Sequence, residues 1–161
     1  MARLFVPPDN AELRKRYEEA GRGGTCGVAA VAALERKTVQ SVIDAWVGAK
    51  GWPGYSPIRE MKTTLEKHGY RVKVCQGHKA KKFPFIDCMA AIARVQWLDG
   101  DGREYSGFME RARHTHYVLL EWHAGEVFVF CNAEGWFPAN GKFADDYLKP
   151  GYVSSYLEVS R

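Results

Sequence analysis

The chain has 161 residues, 46% hydrophobic and 26% charged, which is typical of a single globular domain over residues 1–161. The net charge is only +4 and its basic clusters are scattered, so we expect no obligatory nucleic-acid partner. No stretch is apolar enough for a signal peptide or a membrane span, and no cysteine pair has the CxxC spacing of zinc sites. We therefore expect a cytoplasmic protein with free thiols, no metal and no cofactor.

The first half of the chain predicts helices. The predicted segments are residues 9–20, residues 26–36, TVQSVIDAWV and SPIREMKTTLEKHG. Thr25 is the expected N-cap of the second, because its hydroxyl can accept a hydrogen bond from the first turn. Ser56 as N-cap, Pro57 at the first helical position and Gly69 after the last turn delimit the fourth segment.

The second half predicts strands. The segments YRVKVC, AIARVQWL, THYVLLEW, VFVFCN and YVSSYLEV have the composition and alternation of strands, and DGDG and HAGE predict turns between them. Residues 85–98 fit a helix equally well. Helices followed by strands predict an α+β fold in which the helices pack on a C-terminal antiparallel sheet.

Cys26 opens the second predicted helix, directly after a glycine-rich turn, in GRGGTCGVAAVAAL. The unpaired N–H groups and partial positive charge of a helix N-terminus favour a thiolate. The glycines, including Gly24, let the backbone come close to a substrate, whose oxygen the N–H of Cys26 can bind. The alternative is a buried structural cysteine in an alanine-rich helix.

A nucleophilic cysteine needs a base, and His116 at the start of an apolar strand is the first candidate. His114 lies two residues earlier, on the same strand face, and is its rival. The remaining histidines are interpreted as surface or capping residues: His68, His78 and His123.

The hairpin around HAGE predicts a partner for that base. If the turn is centred near Ala124 and Gly125, His116 and Asn132 become cross-strand neighbours. The amide oxygen of Asn132 can then accept a hydrogen bond from the imidazole and fix its tautomer. Otherwise Asn132 only starts the turn NAEG.

Four segments together resemble a known enzyme family. TCGVAAVAAL resembles a helix-opening Cys-Gly-Pro-Ala-Ala pattern, with Val28 in place of proline, and SPIREMKTTLEKHGYRVKV resembles the helix–glycine–strand that follows it. HYVLLEW resembles the family's histidine strand, and VFVFCNAEGWF a strand that ends in Asp or Asn before a glycine turn. The family is that of the papain-like cysteine peptidases, and the C39-like, bacteriocin-processing branch is the most similar.

The resemblance implies a papain-like fold, with the cysteine at the N-terminus of a central helix packed on the sheet. It implies a catalytic triad of Cys26, His116 and Asn132. It also implies that Trp136 shields the bond between the histidine and the asparagine.

One departure from the family concerns the oxyanion hole. The family has a glutamine about six residues before the cysteine, where this chain has Ala20. Arg22, Thr25 or a backbone N–H are the candidate substitutes. Trp52, in the loop GWPGYSP, either lines a substrate groove or only fills the core or surface.

Three functions follow from these patterns. The first is a cysteine peptidase or amidase that acts on a peptide or protein. The second is a papain-like domain that has lost turnover and binds a peptide or partner, which the missing glutamine favours. The third is an unrelated nucleic-acid- or partner-binding domain in which Cys26 is structural.

Overall fold

The structure is a computed structural model that describes residues 25–80, 89–132, 134–139, 141 and 144–161. The predicted helix at residues 9–20 and the candidate site residues Arg22 and Gly24 lie outside the described residues.

Three helices open the described part of the chain: α1 (Cys26–Glu35), α2 (Val39–Asp44) and α3 (Ile58–Lys67). The small side chains of α1 allow close packing, and nine of its ten residues are buried. Thr25 occupies the N-cap position of α1, but its hydroxyl makes no capping hydrogen bond, so the predicted cap was wrong. The reason is that Thr25 has helical backbone angles (φ −72°, ψ −7°) and its hydroxyl has another partner, described below.

The other helix boundaries follow the sequence more closely. Thr38 caps α2 by accepting a hydrogen bond from the Ser41 N–H. Helix α3 begins one residue later than predicted, because Pro57 is its N-cap and the Ser56 hydroxyl accepts from the Trp52 indole instead. Gly69 follows α3 with φ +92°, as predicted for the residue that ends a helix.

The strands form one six-stranded antiparallel sheet in the order β1-β6-β2-β3-β4-β5. Their bounds are β1 Arg71–Ala80, β2 Ala90–Trp97, β3 Thr115–His123, β4 Glu126–Cys131, β5 Gly135–Pro138 and β6 Gly151–Ser160. Strand β2 settles the ambiguity at residues 85–98 in favour of a strand, for the residues described there. Because β6 lies between β1 and β2, the end of the described chain is built into the sheet interior.

Three short elements were not predicted. They are β5, a helix α4 at Phe108–Arg113 and a π-helical turn at Ala144–Leu148. In β5, Gly135 and Pro138 give the sequence the appearance of a loop, and only the ladder to β4 makes it a strand.

Each face of the sheet carries an apolar core, as the alternation of β3 illustrates. Tyr117 and Leu119 face the helices, in a core that includes Cys26. Val118 and Leu120 face the other way, in a core closed by the π-helical turn. A helix that begins with a cysteine and packs on an antiparallel sheet is the α+β arrangement predicted from the sequence.

Candidate active site

The thiol of Cys26 lies at the N-terminus of α1, buried against the start of β3. Burial raises the pKa of this thiol, but the hydrogen bond and charge of His116 lower it. The backbone N–H groups of Tyr117 and Gly27 donate to the sulfur and lower it further. Together these lowering contributions exceed the effect of burial, so the pKa of Cys26 lies below that of an ordinary cysteine. The thiolate is therefore the favoured form down to a lower pH than in an ordinary cysteine.

The imidazole of His116 is held in a small aromatic cluster. The ring of Trp97 stacks on it, with 5.4 Å between centroids and 10° between planes. The ring of Tyr147 lies 5.9 Å away at 21°, and 6.4 Å from Trp97. These stacks fix the plane of the imidazole, and that orientation is what a general base needs.

His114, the rival base, is engaged elsewhere. Its Nδ1 lies 2.8 Å from the backbone oxygen of Glu110, and its ring stacks on Tyr105 at 3.6 Å between centroids. The structure therefore brings His116, and not His114, to Cys26.

The register of the β3–β4 hairpin differs by one residue from the prediction. Ala124 and Gly125, both with positive φ, form a two-residue turn that His123 and Glu126 close. The ladder runs to Leu119 opposite Phe130. Continued along the strands, this register sets Cys131 opposite Val118. Because side chains alternate between the faces of a sheet, this shift of one residue places Cys131, and not Asn132, on the face of His116.

This register gives His116 a partner that the sequence analysis missed. Cys131 lies on the same face as Val118 and His116, and its Sγ is 3.1 Å from His116 Nε2. Asn132 lies toward the helices, where its Nδ2 donates to the Thr25 hydroxyl over 3.3 Å. Among the described residues, no hydrogen bond joins Asn132 to His116.

The contacts of Cys131 continue away from Cys26. Burial raises the pKa of the Tyr147 phenol, and a hydrogen bond with Cys131 and the charge of Glu134 raise it further. The phenol also donates to Glu134 Oε2 over 3.3 Å. A line of polar contacts thus runs from Cys26 through His116, Cys131 and Tyr147 to Glu134. The sequence did contain a signal for this arrangement. A two-residue turn at Ala124 and Gly125 pairs His123 with Glu126, and counting back from that pair places Cys131 on the same sheet face as His116.

Trp52 reaches the neighbourhood of Cys26 through Ser56. Its indole donates to the Ser56 hydroxyl over 3.3 Å, and its ring packs against the helix-side core. Ser56 in turn lies against Gly27, where a Cβ would come within 2.4 Å of the Ser56 Cβ. Trp52 is therefore a packing residue that Ser56 separates from the N-terminus of α1.

Trp136 lies at the other end of α1. Its ring is 5.6 Å from the guanidinium of Arg36, 5.4 Å from the Phe130 ring and 6.3 Å from the His123 ring. Arg36 is the C-cap of α1, so these contacts are a helix length away from Cys26. The predicted shielding of a His116–Asn132 bond by Trp136 does not match this placement.

Other candidate features have local structural partners. His68 and His123 contact carboxylates, at 2.5 Å from Glu35 and 2.7 Å from Glu121. Asp99 accepts hydrogen bonds from two following backbone N–H groups, which makes DGDG the predicted turn. Within the described residues, no three His, Cys, Asp or Glu side chains gather as metal ligands, and no helix is long and apolar enough to span a membrane.

Comparison with known proteins finds similarity at the level of structure. No protein-family model matches the sequence, and no curated protein matches it. Among solved structures, the chain is similar to a double glycine motif protease from an AMS/PCAT transporter, in complex with the leader peptide. The TM-score is 0.46 at 14% sequence identity, over 83% of this chain and 82% of that chain.

Proposed function

We propose that this protein is a thiol-dependent acyl-transfer hydrolase, a cysteine peptidase or amidase, in which Cys26 is the nucleophile and His116 the base. The observation that carries the proposal is the contact between the two at a helix N-terminus. There the pKa of a buried thiol is lowered although burial alone raises it. A structural cysteine has no need of a fixed imidazole and two N–H donors.

The proposed reaction follows from that pair. His116 takes the proton of Cys26, and the thiolate attacks the carbonyl carbon of an amide to form a C–S bond. The imidazolium then gives its proton to the departing amine as the C–N bond breaks. Water, deprotonated by His116, cleaves the thioester, which releases the acid and restores the thiol.

The oxyanion of this reaction needs donors, since Ala20 replaces the glutamine of the family that the chain resembles. We propose the backbone N–H of Cys26 as one donor, with Thr25, Arg22 or the backbone at Gly24 as candidates for the second. For the substrate we propose the amide of a peptide or protein, and for the place of action the reducing cytoplasm, where Cys26 remains a thiol.

The test measures the pH dependence of alkylation at each cysteine. Iodoacetamide is added between pH 5 and 10, and labelled peptides are quantified by mass spectrometry. We expect Cys26 to label at pH 6–7 faster than Cys75, because burial and Glu158 raise the pKa of Cys75. His116→Ala should abolish this advantage, and His123→Ala, which alters a histidine bound to Glu121, should not. Equal rates for Cys26 and Cys75 in the wild type would contradict the proposal.

A second candidate function is a peptide- or partner-binding module without turnover. The observation that favours it is the placement of Asn132, which donates to Thr25 rather than holding His116. A pool of peptides incubated with the protein separates the two functions. New N-termini that appear with the wild type and not with Cys26→Ala support the hydrolase. Equal peptide binding by both proteins, without cleavage, supports the module.

A further inference from the structure

The imidazole of His116 has two sulfur partners. One partner is Cys26, whose thiol it hydrogen-bonds. The other is Cys131, with its Sγ 3.1 Å from Nε2. Cys131 is only 2% exposed, at the end of β4, and its neighbours there are apolar or aromatic.

The fold leads to this contact through ordinary hairpin geometry. Ala124 and Gly125 adopt positive φ, and the two-residue turn that they form fixes the register. That register puts Cys131, and not Asn132, on the sheet face of His116. The side chain expected beside His116 is therefore one residue away from the one that contacts it.

Cys131 is also held in place on its far side. It shares a hydrogen bond with the hydroxyl of Tyr147, which donates in turn to Glu134. The Tyr147 ring is one of those that stack near His116. The same tyrosine thus limits movement of both the thiol of Cys131 and the ring of His116.

We propose that Cys131 is the positioning residue of the base: its sulfur accepts the Nε2–H of His116 and so directs the other ring nitrogen at Cys26. The inference rests on the proposed function, because a base needs a positioning residue only if Cys26 reacts. A neutral sulfur is a weaker acceptor than an amide oxygen, so the orientation depends on stacking as well as on this hydrogen bond. Cys131 is 2% exposed against 9% for Cys26, so a substrate reaches it less readily.

The experiment compares variants at Cys131 by the rate and pH midpoint of Cys26 alkylation, read peptide by peptide. Cys131→Ala removes the acceptor and should slow labelling of Cys26 at pH 6 by about 10-fold, with its midpoint moved to higher pH. Cys131→Ser keeps a hydrogen-bonding group of similar size and should stay within about 3-fold of wild type. Cys75→Ala, on the edge strand β1, is the matched control and should change neither quantity.

The outcomes separate two failures. If the wild type labels Cys26 no faster than Cys75, the proposed function falls and this inference with it. If the wild type labels Cys26 rapidly and Cys131→Ala leaves rate and midpoint unchanged, only the role of Cys131 is overturned. Should the alanine variant fail to fold, as judged by circular dichroism, Cys131→Val fills the volume without a hydrogen-bonding atom and is measured in its place, with the same expected change in rate and midpoint.

Discussion

Asn132 and Thr25 form a polar pair that ties the end of β4 to the start of α1. The amide donates to a threonine hydroxyl that is itself buried, and an unmatched hydroxyl there would lose its hydrogen bond without gaining water. The pair thus aligns the helix that carries Cys26 without touching His116. Its role is in the position of Cys26, the proposed nucleophile, rather than in that of His116, the proposed base.

Substitution of Asn132 tests this assignment. Asn132→Ala should lower the free energy of unfolding by about 1 kcal/mol and leave the pH midpoint of Cys26 alkylation close to that of wild type. Thr25→Val should have a similar effect, and in the double variant the two losses should not add. Urea denaturation gives the stabilities. A midpoint in Asn132→Ala raised as far as in His116→Ala would instead make Asn132 the orienting residue.

Gly27 is required by the close packing of α1 against the loop before α3. A Cβ there would lie 2.4 Å from the Ser56 Cβ and 2.6 Å from its Oγ, distances that real contacts do not reach. Gly27→Ala should therefore destabilise the fold by about 1–3 kcal/mol, although alanine favours helices. Ser56→Gly in the same chain removes both clashing atoms and should recover most of the loss. A stable Gly27→Ala single variant would contradict the packing.

At the scale of elements, α1 is fixed at its far end by Arg36. The guanidinium donates to both carboxylate oxygens of Glu121 on β3, at 2.9 Å and 2.7 Å, and also to the Ala33 carbonyl. Glu121 is buried and also bound by His123, so these side chains supply the hydrogen bonds that water would otherwise make with its carboxylate. The helix that presents Cys26 is thus held at its start by Asn132 and at its end by β3.

Removal of Arg36 should leave the buried carboxylate of Glu121 under-satisfied. We expect Arg36→Ala to lower the free energy of unfolding by about 1–3 kcal/mol. This is less than for a fully buried pair, because the arginine is partly exposed. Lys62→Ala breaks the exposed pair with Glu66 and should cost under about 0.5 kcal/mol. Thermal unfolding of both variants gives the comparison. Equal losses of stability in Arg36→Ala and Lys62→Ala would show that the Arg36–Glu121 pair does not hold the helix.

The elements themselves were largely predictable, because their signals are local. Apolar spacing and Gly69 located α3, and alternation located the hairpin of β3 and β4. The contact between His116 and Cys131 was harder to predict, because its signal is the exact position of the turn AG and not the strand pattern. It depends on the exact number of residues in the turn. One residue more or fewer leaves the alternation of each strand unchanged but places the residues of β4 on the opposite face relative to those of β3. Thr25 failed as a cap for a similar reason, since its tertiary partner Asn132 is 107 residues away.

At the scale of the whole molecule, β6 connects the parts of the sheet. It pairs with β1 on one side and β2 on the other, and those strands flank it although they precede it by many residues. Neither partner can form its ladder to β6 until the end of the described chain is in place. We therefore expect the helix layer and the site to depend on β6, although Cys26, His116 and Cys131 all lie on other elements.

Leu157 tests that dependence, because it pairs with Val74 of β1 and with Ile92 of β2. It is 0% exposed, so Leu157→Ala should lower the free energy of unfolding by about 2–5 kcal/mol. That is a large share of the total stability of a domain of this size. Val74 occupies the same ladder position on the edge strand but is 38% exposed, so Val74→Ala should cost less than about 1 kcal/mol.

In urea, the rapid labelling of Cys26 in Leu157→Ala should disappear at the same midpoint as the circular dichroism signal, and at a lower urea concentration than in wild type. This coincidence is expected because the sheet unfolds as one cooperative unit and takes the N-terminus of α1 away from His116. Labelling lost well before the dichroism signal would mean that the site opens independently of β6. The sheet would then be a support for the site rather than part of the same folding unit.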